Sequence, residues 1–236
     1  GFKVIYSDTD SVFVETKISN EKSVHLGKKI QDEINDFYKN YVKKKYNRQS
    51  FLELEFEKLY LSLMMPKVRG SEAGAKKRYA GLIEKDGKEK IEIVGLEAIR
   101  GDWTEAAQDF QRELLDKVFH EQEIAKFIKS YIKDLQSGKL DKKLIYKKSI
   151  RKNLSEYTKT TPPHVKAARK LSKLDSNIIQ YYITTDGPEP IQNHHHPLDY
   201  EHYIDKQIKP IANQVLTLFN QDFDDVVRNS KQATLF

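Results

Sequence analysis

The sequence predicts an α+β fold, with antiparallel hairpins and one helix in the N-terminal part and a mainly helical C-terminal part. Short runs rich in β-branched and aromatic residues flank turn-forming residues in the first hundred positions. Apolar residues recur at helical spacing once in that part and in four stretches after Trp103. With 236 residues, of which 38% are hydrophobic, the chain is long enough to bury a core.

The N-terminal part begins with two strand-like runs, Lys3–Tyr6 and Val12–Glu15. Between them, residues 7–11 read Ser-Asp-Thr-Asp-Ser, a composition typical of turns. The pattern predicts a β-hairpin with two carboxylates at its tip. Apolar spacing then predicts a helix over Ser23–Tyr46. Early alternation predicts a strand over Phe51–Met65.

A second hairpin is predicted around Asp86-Gly87, between the strands Lys77–Glu84 and Lys90–Gly95. Asp-Gly is typical of a two-residue hairpin turn, because both of its residues readily adopt positive φ.

The composition changes near Asp102, which predicts two domains, residues 1–102 and 103–236. Thr104 is expected to cap the first helix of the second domain, and apolar spacing continues that helix to Phe119. Further helices are predicted at Ile124–Leu135, Pro163–Leu174 and Tyr200–Phe219, the last with a kink or break at Pro210.

The composition excludes several classes of protein. Without cysteine, the chain has no disulfide, thiolate metal site or cysteine nucleophile. The mean hydropathy is −0.71, and no apolar run approaches the roughly 20 residues of a membrane span. No secretory signal is recognisable, and the sequence opens at Gly1 directly before a strand-like run. We therefore expect a piece of a longer, cytoplasmic protein that has no membrane partner.

Positive charge is concentrated in one stretch. The net charge of the chain is +6, whereas residues 139–174 contain twelve Lys or Arg residues and two acids, a local charge of +10. Such a stretch can be a solvated helical surface or a surface that follows a phosphate backbone. Tyr146, Tyr157 and the Pro162-Pro163 turn interrupt the charges, which favours a folded surface over a disordered basic tail.

The three consecutive histidines, His194–His196, allow two interpretations. They resemble a metal-binding cluster or a tag fragment, but they also fit an exposed loop between Pro190 and Pro197. Consecutive histidines in a loop do not converge on one ion as helix-spaced histidines do, so the loop is favoured.

Asp8 and Asp10 are the first candidates for chemistry. Two residues apart on an extended backbone, they face the same side, where carboxylates could hold a hard cation such as Mg²⁺. By themselves they could equally cap backbone N–H groups in a turn. The same pattern also holds metal-bound nucleotide diphosphates in sugar transferases.

The context of these acids resembles a known family. Residues 6–11, Tyr-Ser-Asp-Thr-Asp-Ser, resemble motif C of the family B DNA polymerases, with Ser7 in place of the usual glycine. Five further segments resemble that family in the same order: Lys-Lys-Arg-Tyr-Ala-Gly at 76–81, Gly-Leu-Glu-Ala-Ile-Arg-Gly-Asp-Trp at 95–103, and the thumb-like residues 154–157, 162–169 and 197–203. The resemblance implies antiparallel palm hairpins with a helix in residues 1–102 and a mainly helical thumb in 103–236.

The resemblance implies the C-terminal portion of a DNA-directed DNA polymerase, a nucleotidyltransferase of DNA replication or repair. In the family, an aspartate of motif A and the second aspartate of motif C hold two Mg²⁺ ions. Asp10 would then be the metal ligand and Asp8 a neighbouring catalytic acid. Glu57 is either an additional acid near the metals or an outward-facing strand residue. The 236 residues contain no match to motif A or B, so we expect this fragment alone to be inactive. The alternative is a non-catalytic module that binds duplex DNA and a sliding clamp.

The implied partners are primer-template DNA, deoxynucleoside triphosphates and a sliding clamp, in the nucleoid of a bacterial cytoplasm. The residues expected to bind DNA are Lys76, Lys77, Arg78, Tyr79, Lys147, Lys148, Arg151, Lys152, Lys166 and Arg169. Residues 232–236, Gln-Ala-Thr-Leu-Phe, resemble the clamp-binding peptide of bacterial polymerases through Gln232, Leu235 and Phe236. A tail packed against its own domain is the alternative.

Overall fold

The computed structural model describes residues 2–66, 76–159 and 161–228. Helices and antiparallel strands together confirm the predicted α+β class. Within the described residues, no helix combines the length and apolar character that a membrane span requires.

The chain forms two compact units. Gly1–Met64 and Gly81–Glu92 make up the first, and Met65–Ala80 and Ile93–Phe236 make up the second. The domain division near Asp102 stays a prediction.

The first hairpin is present as predicted. Strand β1 (Lys3–Asp8) pairs antiparallel with β2 (Ser11–Glu15), and Asp8 lies opposite Ser11 at the turn. A shift of register between Val4 and Tyr6 interrupts β1 near its start. Asp8, the last residue of β1, and Asp10, in the turn, thus lie together at one end of a paired, two-stranded element.

Helix α1 spans Asn20–Tyr46 and confirms the predicted helix. Near its start, the buried Ser23 hydroxyl lies 2.8 Å from the Thr16 hydroxyl, which links the helix to the end of the hairpin. The helix ends at Asn47, which adopts the left-handed conformation (φ 49°) and donates its N–H to the carbonyl of Lys43.

The long strand predicted over Phe51–Met65 is wrong in its extent, because the structure has only β3 at Ser62–Met64. Side chains of α1 bind the preceding backbone instead: Asn35 pairs with both backbone groups of Leu54, and Gln31 accepts the N–H of Phe56 at 2.7 Å. Those backbone groups therefore need no neighbouring strand. An alternating sequence does not distinguish between the two ways of satisfying them.

The second hairpin is also confirmed. Strands β4 (Tyr79–Lys85) and β5 (Lys88–Val94) join at Asp86 and Gly87, whose φ angles of 55° and 70° match the two positive values of a type I′ turn. The sheet order is β3-β4-β5.

In the second unit, helix α2 (Glu105–Phe119) begins at Thr104, whose hydroxyl accepts the N–H of Ala107 as predicted for a cap. Helix α3 (Ile124–Gln136) packs against α2 through Phe110 and Phe127, whose rings stack at 5.5 Å. The two helices thus form part of a core that is apolar and aromatic.

A three-stranded antiparallel sheet in this unit was not predicted. It consists of β6 (Tyr146–Ser149), β7 (Ile178–Thr184) and β8 (Gly187–Pro190), in that order. The β6 sequence Tyr-Lys-Lys-Ser and the β8 sequence Gly-Pro-Glu-Pro lack the alternation and the β-branched residues that indicate strands. Pairing with the apolar β7 forms the sheet.

Two predicted helices are shorter or less regular than expected. Helix α4 spans Pro163–Arg169 instead of reaching Leu174, because the N–H of Lys170 turns back to Ala167 and that of Leu171 to Ala168. These three-residue bonds tighten the end of the helix.

The last long helix is divided as Pro210 suggested. Helix α5 (Tyr200–Tyr203) continues into a π turn over Ile204–Ile208, then into α6 (Lys209–Leu216) and a 3₁₀ turn over 217–219. Pro210 has no N–H to donate to the preceding turn, and the π turn comes just before it. A short helix α7 (Phe223–Val227) follows.

Candidate active site and DNA interface

Asp8 and Asp10 lie at the tip of the first hairpin. Asp8 ends β1 and is partly buried, and its Oδ1 accepts the backbone N–H of Thr9 at 2.8 Å and the Thr9 hydroxyl at 3.3 Å. Asp10 occupies the turn itself and is exposed. The turn therefore holds one carboxylate by local hydrogen bonds and leaves the other accessible.

This pair suits a divalent cation in its chemistry, because Mg²⁺ prefers carboxylate oxygens. In residues 2–66, 76–159 and 161–228, Asp8 and Asp10 are not joined by a third metal-binding side chain whose ligand atom lies within 4.8 Å. Glu57 is not such a third group. Its side chain is 77% exposed, and its Oε1 lies 2.9 Å from Lys58 Nζ. The hairpin tip thus carries two neighbouring carboxylates, of which the one on Asp10 is exposed.

The histidine loop is tied to a buried acid. Glu189 accepts the backbone N–H of His195 at 2.8 Å and lies 2.8 Å from Nδ1 of His196, while Lys170 Nζ approaches its Oε1 at 3.2 Å. Burial alone would raise the pKa of Glu189, but these donors lower it to about 2.

A metal ion is therefore a poor fit to this cluster. Asp186, Glu189 and His196 bring their ligand atoms within 4.8 Å of one another. However, the Lys170 ammonium already lies 3.2 Å from Glu189 and 3.7 Å from Asp186, so the positive charge in the cluster comes from the protein itself. The three histidines are exposed, in agreement with the predicted exposed loop between Pro190 and Pro197.

The Lys-Lys-Arg-Tyr segment forms a turn that leads into β4. Lys76 and Lys77 are exposed, and Lys77 adopts positive φ (57°). Arg78 is partly buried and pairs with the buried Glu97. Tyr79 is the first residue of β4 and is partly buried. The two lysines are thus presented outward while the arginine turns inward.

The Gly-Leu-Glu segment contains a second ion pair. The Arg100 guanidinium donates to both carboxylate oxygens of Asp102, at 3.0 and 2.8 Å, and Lys148 Nζ lies 3.8 Å from the same carboxylate. The hydrogen bond from Arg100 holds the pKa of Asp102 below its ordinary value. The segment is therefore joined to β6 of the basic stretch, a connection between residues that are far apart in the sequence.

The basic stretch presents its charges on β6 and on the segment that follows. On β6, Tyr146 is buried and Lys147 exposed, since neighbouring residues of a strand face opposite sides. The side chain of Lys148 is 40% exposed. Three further residues expected to bind DNA are exposed as well: Arg151, Lys152 and Lys166.

Arg169 has internal partners. Its guanidinium donates to the carbonyls of Leu154 and Tyr157, at 2.8 and 3.1 Å. The Tyr157 hydroxyl in turn accepts the backbone N–H of Arg151 at 3.3 Å. These bonds join α4 to the turn before it. The expected clamp-binding residues Gln232, Leu235 and Phe236 lie outside the described residues.

Sequence reasoning found the acids and the basic segments, but it missed the roles of Glu97 and Gln111 as buried partners. Glu97 belongs to a recognised segment, yet nothing in the sequence around it indicates that its partner is Arg78. Gln111 lies on the buried side of α2 at helical spacing from apolar residues, which is the available signal.

Comparisons with known proteins agree with these features. The family model described as DNA polymerase family B matches residues 1–218. The chain is 39% identical over 236 residues to DNA polymerase II of Escherichia coli, a match that covers 94% of the chain and 30% of that protein. It is 32% identical over 251 residues to DNA polymerase 2 of Aeropyrum pernix, covering 100% of the chain and 28% of that protein.

A solved structure is similar as well. The family B DNA polymerase of the hyperthermophilic archaeon Pyrobaculum calidifontis matches with a TM-score of 0.60 and 27% identity, over 91% of this chain and 26% of that one. The chain thus spans less than a third of these relatives. The expected resemblance to the family B DNA polymerases is confirmed, and these relatives are all named DNA polymerases. The chain belongs to the family B DNA polymerases.

Proposed function

We propose that this chain is part of a DNA-directed DNA polymerase and contributes the motif C half of its two-metal active centre. The observation that carries the proposal is the hairpin tip, where Asp8 and Asp10 stand in a chain that belongs to family B. Template-directed nucleotidyl transfer in DNA replication or repair is the corresponding reaction.

Asp10 is the proposed metal ligand, because its carboxylate is exposed in the turn. Asp8 is held by Thr9 beside it and contributes a second negative charge that favours cation binding. When bound, two Mg²⁺ ions would lower the pKa of the primer 3′-hydroxyl and neutralise the charge of the leaving pyrophosphate. Glu57 is a further candidate acid only if its carboxylate leaves Lys58, which it contacts at 2.9 Å.

The substrates we propose are primer-template DNA and deoxynucleoside triphosphates. Several exposed lysines offer donors to phosphates: Lys76, Lys77, Lys147 on β6 and Lys166 on α4. The phosphates of a duplex have the same spacing whatever the DNA sequence. Such contacts hold a duplex without reading its bases, as a general polymerase requires.

The 236 residues alone are proposed to be inactive in primer extension. They contain no match to motif A or motif B, so one metal-binding aspartate of the family and its nucleotide-binding helix are not supplied by this chain. Incorporation of a labelled nucleotide by the purified chain would contradict this.

Mn²⁺ binding, measured from the electron paramagnetic resonance signal of the free ion, tests the hairpin site. Asp10→Asn should weaken binding in the presence of the N-terminal part of the same polymerase and should abolish primer extension. Asp86→Asn is the matched control, because it removes the same charge from the tip of the other hairpin. If Asp10→Asn and Asp86→Asn behave alike and extension persists, the chain is a non-catalytic DNA-binding module.

A sliding clamp is the proposed protein partner, through Gln232, Leu235 and Phe236. The support is their sequence pattern, because an apolar pair at the end of a polar tail suits a hydrophobic groove. Calorimetry of a bacterial clamp with the chain, and with a variant that lacks residues 232–236, measures this contact. Equal affinity of the two would contradict it.

We place this polymerase at the nucleoid of a bacterial cytoplasm. The support is its similarity to the Escherichia coli protein named DNA polymerase II. A fluorescent fusion that spreads evenly outside the nucleoid would argue against this location.

A further inference from the structure

The buried carboxylate of Glu97 is bound by side chains of the second unit, among them Arg78 and Gln111. Its side chain is 4% exposed, and its Oε1 pairs with Nη2 of Arg78 while its Oε2 accepts from Nε2 of Gln111 at 2.9 Å. Burial by itself would raise the pKa of Glu97. The hydrogen bonds from Gln111 and from its own backbone, with the charge of Arg78, hold that pKa below its ordinary value instead.

Helix α2 also holds the backbone next to Glu97. Gln111 Oε1 accepts the N–H of Ala98 at 2.5 Å, and Arg112 donates to the carbonyl of the same residue. One glutamine side chain therefore binds both the carboxylate of residue 97 and the backbone of residue 98. The position of Glu97 is consequently set by α2, a regular helix with a buried face.

The turn at residues 76–79 meets the Gly-Leu-Glu segment at two points. One is the Arg78–Glu97 pair. The other is Gly95, where an added Cβ would lie 2.0 Å from the carbonyl oxygen of Lys77. Gly95 also adopts positive φ (63°), so both its space and its conformation require glycine. The backbone of the two exposed lysines is thus held in place by the Gly-Leu-Glu segment.

We infer that Glu97 is a positioning residue for DNA binding: it fixes Arg78 against α2 and so sets the direction in which Lys76 and Lys77 meet the duplex. Arg78 acts inside the protein and not as a phosphate contact. If Arg78 turned to a phosphate, Glu97 would remain as a buried, uncompensated charge, which costs more than an exposed ion pair returns. This inference rests on the proposed function of residues 76–79 in DNA binding.

The inference is tested by whether loss of the Glu97 charge strengthens or weakens DNA binding. Fluorescence anisotropy of a labelled primer-template duplex, titrated with the full chain at several KCl concentrations, gives the affinity and its salt dependence. Removing a negative charge normally strengthens DNA binding, because it reduces repulsion from the phosphates. Glu113→Gln, an exposed acid on the same helix, should follow that rule. Glu97→Gln should instead weaken binding by about tenfold, as expected when coupled residues lose their arrangement.

A double-mutant cycle then separates positioning from direct contact. If Arg78 acts through the lysines, Arg78→Met should weaken binding in the wild-type chain and have no further effect in the Lys76→Gln/Lys77→Gln background. An equal loss in both backgrounds would show that Arg78 binds phosphate itself and would overturn the inference. The cycle does not use Glu97→Gln, so it tests the inference even if that variant does not fold, provided that Arg78→Met itself is folded.

Two further outcomes are distinguishable. Circular dichroism at the assay temperature establishes that each variant is folded before its affinity is compared. Unchanged affinity of Lys76→Gln/Lys77→Gln would overturn the proposed DNA contact at this turn. Weakened binding in that variant, with Glu97→Gln equal to or tighter than wild type, would overturn only the role of Glu97.

Discussion

Asn35 binds both backbone groups of Leu54: its Oδ1 accepts the N–H at 2.7 Å and its Nδ2 donates to the carbonyl at 2.9 Å. A neighbouring strand would otherwise form these two bonds. One turn earlier on the same helix, Gln31 accepts the N–H of Phe56. The ring of Phe56 packs so close to Gly27 that a Cβ added there would lie 2.4 Å from it. Helix α1 therefore replaces a strand as the partner of this extended segment.

Replacement of Asn35 by alanine should lower the free energy of unfolding by about 1–3 kcal/mol, because two partly buried backbone groups lose their partner. Urea denaturation followed by circular dichroism measures the change. Asn40→Ala, at an exposed position of the same helix, removes an amide that forms no hydrogen bond with residues 51–56, and it should have little effect. Equal changes in the two variants would show that the Leu54 contacts contribute nothing.

Replacement by alanine should affect stability differently at Gly87, in the Asp86-Gly87 turn, and at Gly101. Neither Gly87 nor Gly101 has an atom within 4 Å of an added Cβ, but only Gly87 has a positive φ, of 70°. Gly87→Ala should therefore destabilise the chain by about 1–2 kcal/mol through backbone conformation alone. Gly101→Ala should be neutral or stabilising by about 0.4–1 kcal/mol. Thermal unfolding compares them, and the reverse order would rule out this explanation.

Tyr203 should stabilise the second unit through its hydroxyl. The side chain is fully buried, and its oxygen accepts the N–H of Ile183 at 2.8 Å. Tyr203→Phe leaves that buried N–H without a partner, so we expect a loss of about 1–3 kcal/mol in the free energy of unfolding. Tyr182→Phe, one residue from Ile183 in β7, removes a hydroxyl that forms no hydrogen bond with residues 2–66, 76–159 or 161–228, and it serves as control. Similar losses in both would contradict the assignment.

Glu189 should make stability depend on pH in the acid range. Its pKa in the folded chain is lowered to about 2, so the unfolded chain binds a proton here at higher pH than the folded chain does. The stabilisation is present above the unfolded-state pKa, about 4.3 for a glutamate, and is lost as pH falls from there towards 2.

Chemical denaturation at several pH values between about 2 and 5 measures this slope. Glu189→Gln should unfold more easily at neutral pH and should show a shallower fall in stability across that range. Glu84→Gln, at an exposed position of β4, should keep the slope of the wild-type chain. An unchanged slope in Glu189→Gln would mean that other groups carry the acid sensitivity.

Local signals in the sequence determined the two hairpins, the helices α1, α2 and α3 and the position of the two aspartates. A helical period, an Asp-Gly turn and a Thr cap depend on residues close together in the chain, and their physics is readable there. The break at Pro210 is of the same kind, because the missing N–H belongs to one residue.

The tertiary structure alone decided the features whose partners lie far apart in sequence. Strand β6 is charged and becomes a strand because β7 pairs with it. The segment around Leu54 is extended without being a strand because Asn35 satisfies its backbone. Arg78 lies in a basic segment, and its ion-pair partner is the buried carboxylate of Glu97, which the local sequence does not indicate. A buried charge is stable only beside an opposite charge, and the fold determines which charged residue lies next to it.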